Sequence, residues 1–223
     1  LGSIALQSVR IADARLGENI IVIGLGLVGL LTVQLLRAAG CRVFGIDIDS
    51  ERVDYIKRND FGDAELNDAE NLKERVNVFT SGKGADAIII TAATENNGPV
   101  SLAGELARQK GRVVAVGRTK LEAPRETYLF KELELRTSMA YGPGTGDPSY
   151  ELDGIDYPYG YVRWTEGRNM SAVLELIHDG SLQLETMVSH EFNIDDASEA
   201  FELITGKTKE SSSAVLLKYT LDT

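Results

Sequence analysis

The stretch Asn19-Ile20-Ile21-Val22-Ile23-Gly24-Leu25-Gly26-Leu27-Val28-Gly29 decides the reading of this chain. Its first part is a continuous apolar run of strand length. Its second is G-x-G-x-x-G, which leads into a helical segment from Leu27 to Ala39 that Gly40 stops. Arg42 to Ile46 then reads as a second strand, followed by an acid, Asp47, 23 positions beyond Gly24. Strand, glycine turn, helix, strand and acid in this register point to dinucleotide binding. Gly24 makes the tight turn, Gly26 lets a pyrophosphate approach the backbone, and Gly29 lets the helix pack closely on the strand. The N–H groups of Leu25, Leu27 and Val28, at the positive end of the helix, then face the phosphates. Asp47, with Ile48 after it, meets the adenosine ribose, where a carboxylate repels a 2′-phosphate and so favours NAD over NADP. Arg52 either covers that ribose or is a solvated surface cation. A glycine-rich first turn and an acid after the second strand also occur in S-adenosylmethionine-dependent methyltransferases, and the glycines alone also serve a plain strand–helix turn.

Outward from this stretch, short β-branched runs alternate with helical ones. Ile4 to Asp13 reads as a helix, Ser50 caps a helix to Arg58, and Ala64 to Leu66 is a short strand. Asp68 to Phe79 is a helix, Ala85 to Ile90 a strand, Pro99 to Gln109 a helix, Arg112 to Val116 a strand, and Glu134 to Met139 a sixth strand. The pattern predicts an α/β fold with a doubly wound parallel sheet, a Rossmann fold. Tyr141 to Tyr161 is rich in Gly, Pro and Tyr and reads as a long loop. Glu166 to His178 is a helix, Thr186 to Phe192 a strand, Asp195 to Thr205 a helix and Ser213 to Tyr219 a last strand, too few elements for a domain of their own. The expected division is a cofactor domain over 1–165 and a C-terminal part over 166–223.

The 223 residues suffice for a buried core without disulfides or metal. With 43% hydrophobic and 26% charged residues the chain is an ordinary globular one, and its net charge of −11 argues against nucleic acid as a partner. Ile20 to Leu36 is the most apolar stretch, but its Gly, Thr and Gln residues and its length argue against a membrane span. One Cys, Cys41, and no signal peptide point to the cytoplasm. The start, Leu1-Gly2-Ser3-Ile4, reads as a cut within a longer protein.

These residues resemble the medium-chain dehydrogenase/reductase superfamily, the zinc-type alcohol dehydrogenase relatives. The likeness runs from Leu16-Gly17-Glu18 through the glycine turn and Asp47, then Gly84-Ala85-Asp86, Gly111-Arg112-Val113-Val114 and Glu199-Ala200-Phe201-Glu202-Leu203-Ile204. Asp156-Tyr157-Pro158-Tyr159-Gly160-Tyr161-Val162-Arg163-Trp164-Thr165-Glu166 is similar to a bacterial subgroup in which this half is fused to a second oxidoreductase of the glucose–fructose oxidoreductase type. The resemblance implies that a GroES-like catalytic part precedes Leu1 and that residues from Glu166 onward return to it as elements of an incomplete catalytic domain. It implies further cofactor contacts: Thr91 and Ala92 at the riboses, Val116 and Gly117 beside the nicotinamide, and Met139 to Tyr141 toward its carboxamide. Many relatives have an Arg near Ala214 that reaches the pyrophosphate. Here the turn amides carry that charge alone, or Lys207 or Arg118 substitutes.

Other constellations are sparse. His178 reads as a helix-end cation, and His190 and Glu191 point to opposite faces of a strand. Cys41 reads as a small buried hydrophobe. Tyr141, Tyr157, Tyr159, Tyr161, Arg163 and Trp164 either line a sugar-type substrate cleft or pack a long loop. With one Cys and two His, no metal site and no catalytic residue is expected within the chain. The expected function is the NAD-binding portion of an enzyme that transfers hydride between nicotinamide and an alcohol or carbonyl substrate, inactive by itself. The alternative is a non-catalytic NAD-binding or scaffold module. The sixth strand is expected at a sheet edge. There it either pairs with its copy in a homodimer or is guarded by the charges of Glu134 and Arg136 in a monomer.

Overall fold

A computed structural model describes residues 1–208 and 210–219. The chain forms two compact units, Leu1–Leu182 and Gln183–Thr223. In the first, the elements in order are α1 (Gly2–Ile11), β1 (Asn19–Ile23), α2 (Leu27–Ala38), β2 (Arg42–Asp47), α3 (Ser50–Arg58), β3 (Asp63–Leu66) and α4 (Leu72–Phe79). There follow β4 (Ala85–Ile90), α5 (Gly98–Leu106), β5 (Ala107–Ala115), α6 (Arg125–Phe130), β6 (Glu134–Thr137), α7 (Pro148–Glu151) and α8 (Glu166–His178). Six parallel strands lie in the order β3-β2-β1-β4-β5-β6, the doubly wound arrangement.

The apolar runs explain the order. Ile20, Ile21 and Val22 of β1 and Ile88, Ile89 and Ile90 of β4 are fully buried, as strands covered on both faces must be. Burying each such side chain contributes ~2 kcal/mol. These two strands form the centre of the sheet, in register from Ile20 opposite Ala87 to Ile23 opposite Ile90. Their carboxyl ends therefore open side by side, where α2 and α5 begin.

The structure moves several expected boundaries. Ala107 to Gln109, expected at the end of a helix, begins β5: Gly84 and Gly111 allow the backbones to close there, and the register shifts between Ala85 and Ala87. The cap of α3 is Asp49 rather than Ser50, its carboxylate accepting from the Glu51 N–H at 2.9 Å. The sixth strand ends at Thr137 instead of Met139. Ala140 takes a positive φ of 40°, and the Gly142 N–H turns back to the Met139 carbonyl. The long loop holds α7, capped by Asp147. Helix α8 belongs to the first unit, so the chain divides after Leu182 rather than between 165 and 166. Helix α8 packs on α1, and its fully buried Asn169 donates to the carbonyls of Tyr141 and the Gln7 side chain.

The second unit holds a 3-10 turn at Glu185–Met187, then β7 (Val188–Asn193), α9 (Ala197–Ile204) and β8 (Ala214–Lys218). Its two strands pair in parallel, and α9 packs against both.

Candidate functional site

Between the carboxyl ends of the strands of the first unit lies a cavity of about 640 Å³. Its wall includes Gly24, Gly26, Asp47, Ile48, Arg52, Thr91 and Ala92, all expected from the sequence. Gly24 has φ +98°, and a side chain there would meet the Ala92 backbone nitrogen at 2.5 Å. A Cβ at Gly29 would lie 1.9 Å from the Gly24 carbonyl oxygen, so the close helix–strand contact demands this glycine. Gly26 is different. It caps α2 at φ −65°, a conformation open to any residue, and a Cβ there would meet nothing nearer than Arg52 Nη1 at 3.9 Å. The protein's own packing does not require a glycine at 26; the bare backbone makes room on the cavity side.

Asp47 is buried, 5% exposed, at the end of β2. Its Oδ2 accepts from the Leu25 N–H at 2.5 Å, its Oδ1 from the Asp49 N–H at 2.9 Å. Arg52 lies 3.6 Å from Asp47 and 3.5 Å from Asp49, which compensate its charge. The Leu25 amide is thus committed to Asp47, and its fully buried side chain lies where a Cβ at Gly45 would touch it. Leu27, Val28 and Gly29 do not line the cavity with side chains; their contribution is the first turn of α2, which no side chain caps. The Thr91 hydroxyl donates to the Gly24 carbonyl at 2.5 Å, which fixes the glycine turn and leaves only lone pairs to offer a ligand.

Four further expected contacts lie off this cavity wall. The Val116 and Gly117 amides both donate to the Ile90 carbonyl, and a Cβ at Gly117 would lie 2.2 Å from the Ala92 oxygen. These residues pack against the Thr91–Ala92 turn. Met139 is exposed; its carbonyl accepts from the Gly142 N–H and the Tyr141 carbonyl from the Asn169 amide, each keeping a second lone pair. Arg118 is exposed and off the wall; Lys207 and Ala214 belong to the second unit. Conversely, Asn67, Ala93, Thr94, Asn96, Pro99, Ser101, Leu102 and Glu105 line the cavity unannounced. They follow the ends of β3 and β4, where the rule that ligands bind at carboxyl ends of strands directs attention.

A family model for zinc-binding dehydrogenases matches residues 28–152, more than half of the chain. The chain belongs to the zinc-binding dehydrogenase family. Among its relatives, D-xylulose reductase A of Aspergillus oryzae is 27% identical over 213 residues, 92% of this chain and 52% of the relative. L-arabinitol 4-dehydrogenase of Aureobasidium melanogenum is 28% identical over 209 residues, 90% of this chain and 49% of the relative. In structure, the alcohol dehydrogenase TADH of Thermus sp. ATN1 superposes with a TM-score of 0.75 at 26% identity, covering 98% of this chain and 56% of that one. The chain spans about half the length of the curated relatives it matches.

Zinc takes thiolate, imidazole or carboxylate donors, and the chain holds one Cys and two His. Cys41 is buried, its Sγ 3.3 Å from the Arg15 carbonyl, and burial pushes its thiol pKa up, away from the thiolate that zinc needs. His178 ends α8, while His190 lies in the other unit, 2.9 Å from Glu210 rather than paired with Glu191. Among the described residues no group of three His, Cys, Asp or Glu could hold a metal ion. The described residues do not fit zinc. Part of the aromatic cluster packs the loop: Tyr150 stacks on Tyr157, and the guanidinium carbons of Arg10 and Arg163 lie 3.3 and 3.7 Å from the Trp164 ring centre, while Tyr159 and Tyr161 are exposed. Burial and the nearby Arg163 lower the Arg10 pKa to about 10. Among the described residues, no helix is long and apolar enough to cross a membrane.

Proposed function

We propose that this chain is the NAD-binding portion of an alcohol dehydrogenase-like oxidoreductase whose substrate is a sugar-type alcohol or its carbonyl product. The observation that carries the reading is the contrast between Gly29 and Gly26. The first is required by protein packing, while the second leaves bare backbone at an uncapped helix start facing the cavity. The room at Gly26 fits a pyrophosphate, which the amides of Leu27 and Val28 would hold. Asp47 and the exposed Ile48, 84% accessible, would take the adenosine ribose and base, and Thr91, Ala92, Val116 and Gly117 would follow the other half of the cofactor.

The nicotinamide, when bound, supplies the hydride acceptor or donor; this chain binds and orients it. NAD is favoured because Asp47 and Asp49 together exceed the single charge of Arg52, which leaves a net negative site where NADP would place its 2′-phosphate. The relatives named xylulose reductase and arabinitol dehydrogenase support a polyol or keto-sugar as substrate. The group that polarises the substrate would lie outside this chain, which spans about half the length of its relatives, so the chain alone would turn over little substrate. A fused second oxidoreductase domain fits the Asp156–Glu166 wording, and a cytoplasmic setting the thiol chemistry.

Calorimetric titration with both dinucleotides tests the reading. NAD should bind about tenfold or more tightly than NADP, and Asp47→Ser should narrow the gap. Equal or inverted affinities would refute the NAD assignment.

The assembly reading is a homodimer through β6. This strand ends the sheet, so its outer backbone groups have no partner strand among the described residues. Glu134 and Arg136, the charges that would guard such an edge, neutralise each other at 2.5 Å, and Arg136 is further tied to the Ile11 carbonyl.

A further inference from the structure

The cavity offers one polar side chain that the protein itself does not use. Asp47 and Thr91 hold the glycine turn. Arg52 pairs with Asp47 and Asp49, and Glu105 with Lys73 at 2.7 Å. Asn96 accepts from the Gly98 N–H, Thr94 from the Asn96 N–H, and Ser101 from the Asn97 amide. Among the described residues, the Asn67 side chain has no hydrogen bond or ion pair, although it lines the same wall. Its backbone is nonetheless fixed, because the Asn67 N–H donates to the Asp47 carbonyl at 2.8 Å, extending the register in which Asp47 opposes Leu66. Ile48 and Asn67 therefore emerge side by side from the carboxyl ends of β2 and β3, one exposed and apolar, the other an amide.

An apolar side chain beside an unpaired amide is complementary to a flat heterocycle with a polar edge. If the pyrophosphate lies at Gly26 and the nicotinamide half runs over β4 and β5, the adenosine half runs over β2 and β3 and brings its base to this pair. Resting on the NAD-binding reading above, we propose that Asn67 reads the amino edge of the adenine whose face lies on Ile48. Asn67 Oδ1 accepts from the N6 amino group while Nδ2 donates to N7, the bidentate pairing that an amide makes with adenine. Hypoxanthine, with O6 in place of the amino group, presents two acceptors along that edge and loses one of the two bonds. Asn67 is thus a specificity-determining residue for the base, distinct from Asp47, which discriminates at the ribose.

The test is calorimetric titration of the wild-type chain and of Asn67→Ala with NAD and with nicotinamide hypoxanthine dinucleotide. The wild type should favour NAD about tenfold, one lost base contact, and Asn67→Ala should bind both dinucleotides alike, NAD having weakened to the level of the analogue. Since the Asn67 side chain contacts no partner, the variant should melt as the wild type does. Equal wild-type affinities, or a gap that persists in Asn67→Ala, would overturn the assignment of Asn67 while leaving dinucleotide binding intact. Failure of both dinucleotides to bind the wild type would overturn both readings together.

Discussion

The Asp47 carboxylate accepts a hydrogen bond from the Leu25 backbone N–H at 2.5 Å and so ties the end of β2 to the glycine turn 22 residues earlier. The acid is a strut of the turn as well as a ribose ligand on the proposed reading. Removing it leaves a buried N–H without an acceptor, at a cost of about 1–3 kcal/mol. Asp47→Ala should therefore unfold at a lower denaturant concentration than the wild type, with unchanged m-value. A variant as stable as the wild type would show that the bond contributes nothing to the turn.

Gly26 and Gly29 should separate binding from folding. Gly29→Ala places a methyl group 1.9 Å from the Gly24 carbonyl and should destabilise the protein by about 2 kcal/mol or more. Gly26→Ala meets nothing nearer than 3.9 Å and should cost only the modest loss of a glycine helix cap, well below the cost of Gly29→Ala, while weakening dinucleotide binding. Thermal unfolding without and with NAD checks both. A Gly26→Ala variant destabilised as much as Gly29→Ala in the apo form would mean that packing, and no ligand, set that glycine.

The glycine turn was legible because its chemistry is local: residues adjacent in sequence build it, and β1 and β4 announce themselves by runs of Ile. The edges of the site were less so. That Thr91 spends its hydroxyl on Gly24, and that Tyr141 gives its carbonyl to Asn169, are contacts between residues far apart in the chain that no periodicity encodes. Ala107 to Gln109 follow a helical pattern without a break, yet pairing with β4 draws them into β5, tertiary pairing overriding local propensity. A lone Asn after a short strand reads as a turn residue; only the pairing of β2 with β3 brings Asn67 beside Ile48.

Tyr128 gives an alkaline signature. Burial pushes its pKa up to about 12, and its hydroxyl donates to the Val100 carbonyl at 2.9 Å. A folded-state pKa above the unfolded value of about 10 means that the contribution is fully present below pH 10 and is lost as pH rises toward 12. The stability advantage of the wild type over Tyr128→Phe should shrink across that interval. Chemical denaturation at pH 8, 10 and 11.5 measures it, and a constant difference would contradict the assignment.

The proposed β6 dimer has its own check. Light scattering at micromolar concentration should give twice the chain mass, and Thr137→Pro, which removes a ladder donor at the edge, should give a monomer. A monomeric wild type, or a dimer that survives the substitution, would refute pairing through this strand.

If the bare backbone at Gly26 is room for a dinucleotide, titration of NAD into the wild-type chain and into Gly26→Val should show it. One NAD should bind per chain in the wild type and at least ~100-fold more weakly in the variant, with the fold of the variant intact by circular dichroism. No binding to the wild type, or equal affinity for both proteins, would contradict it.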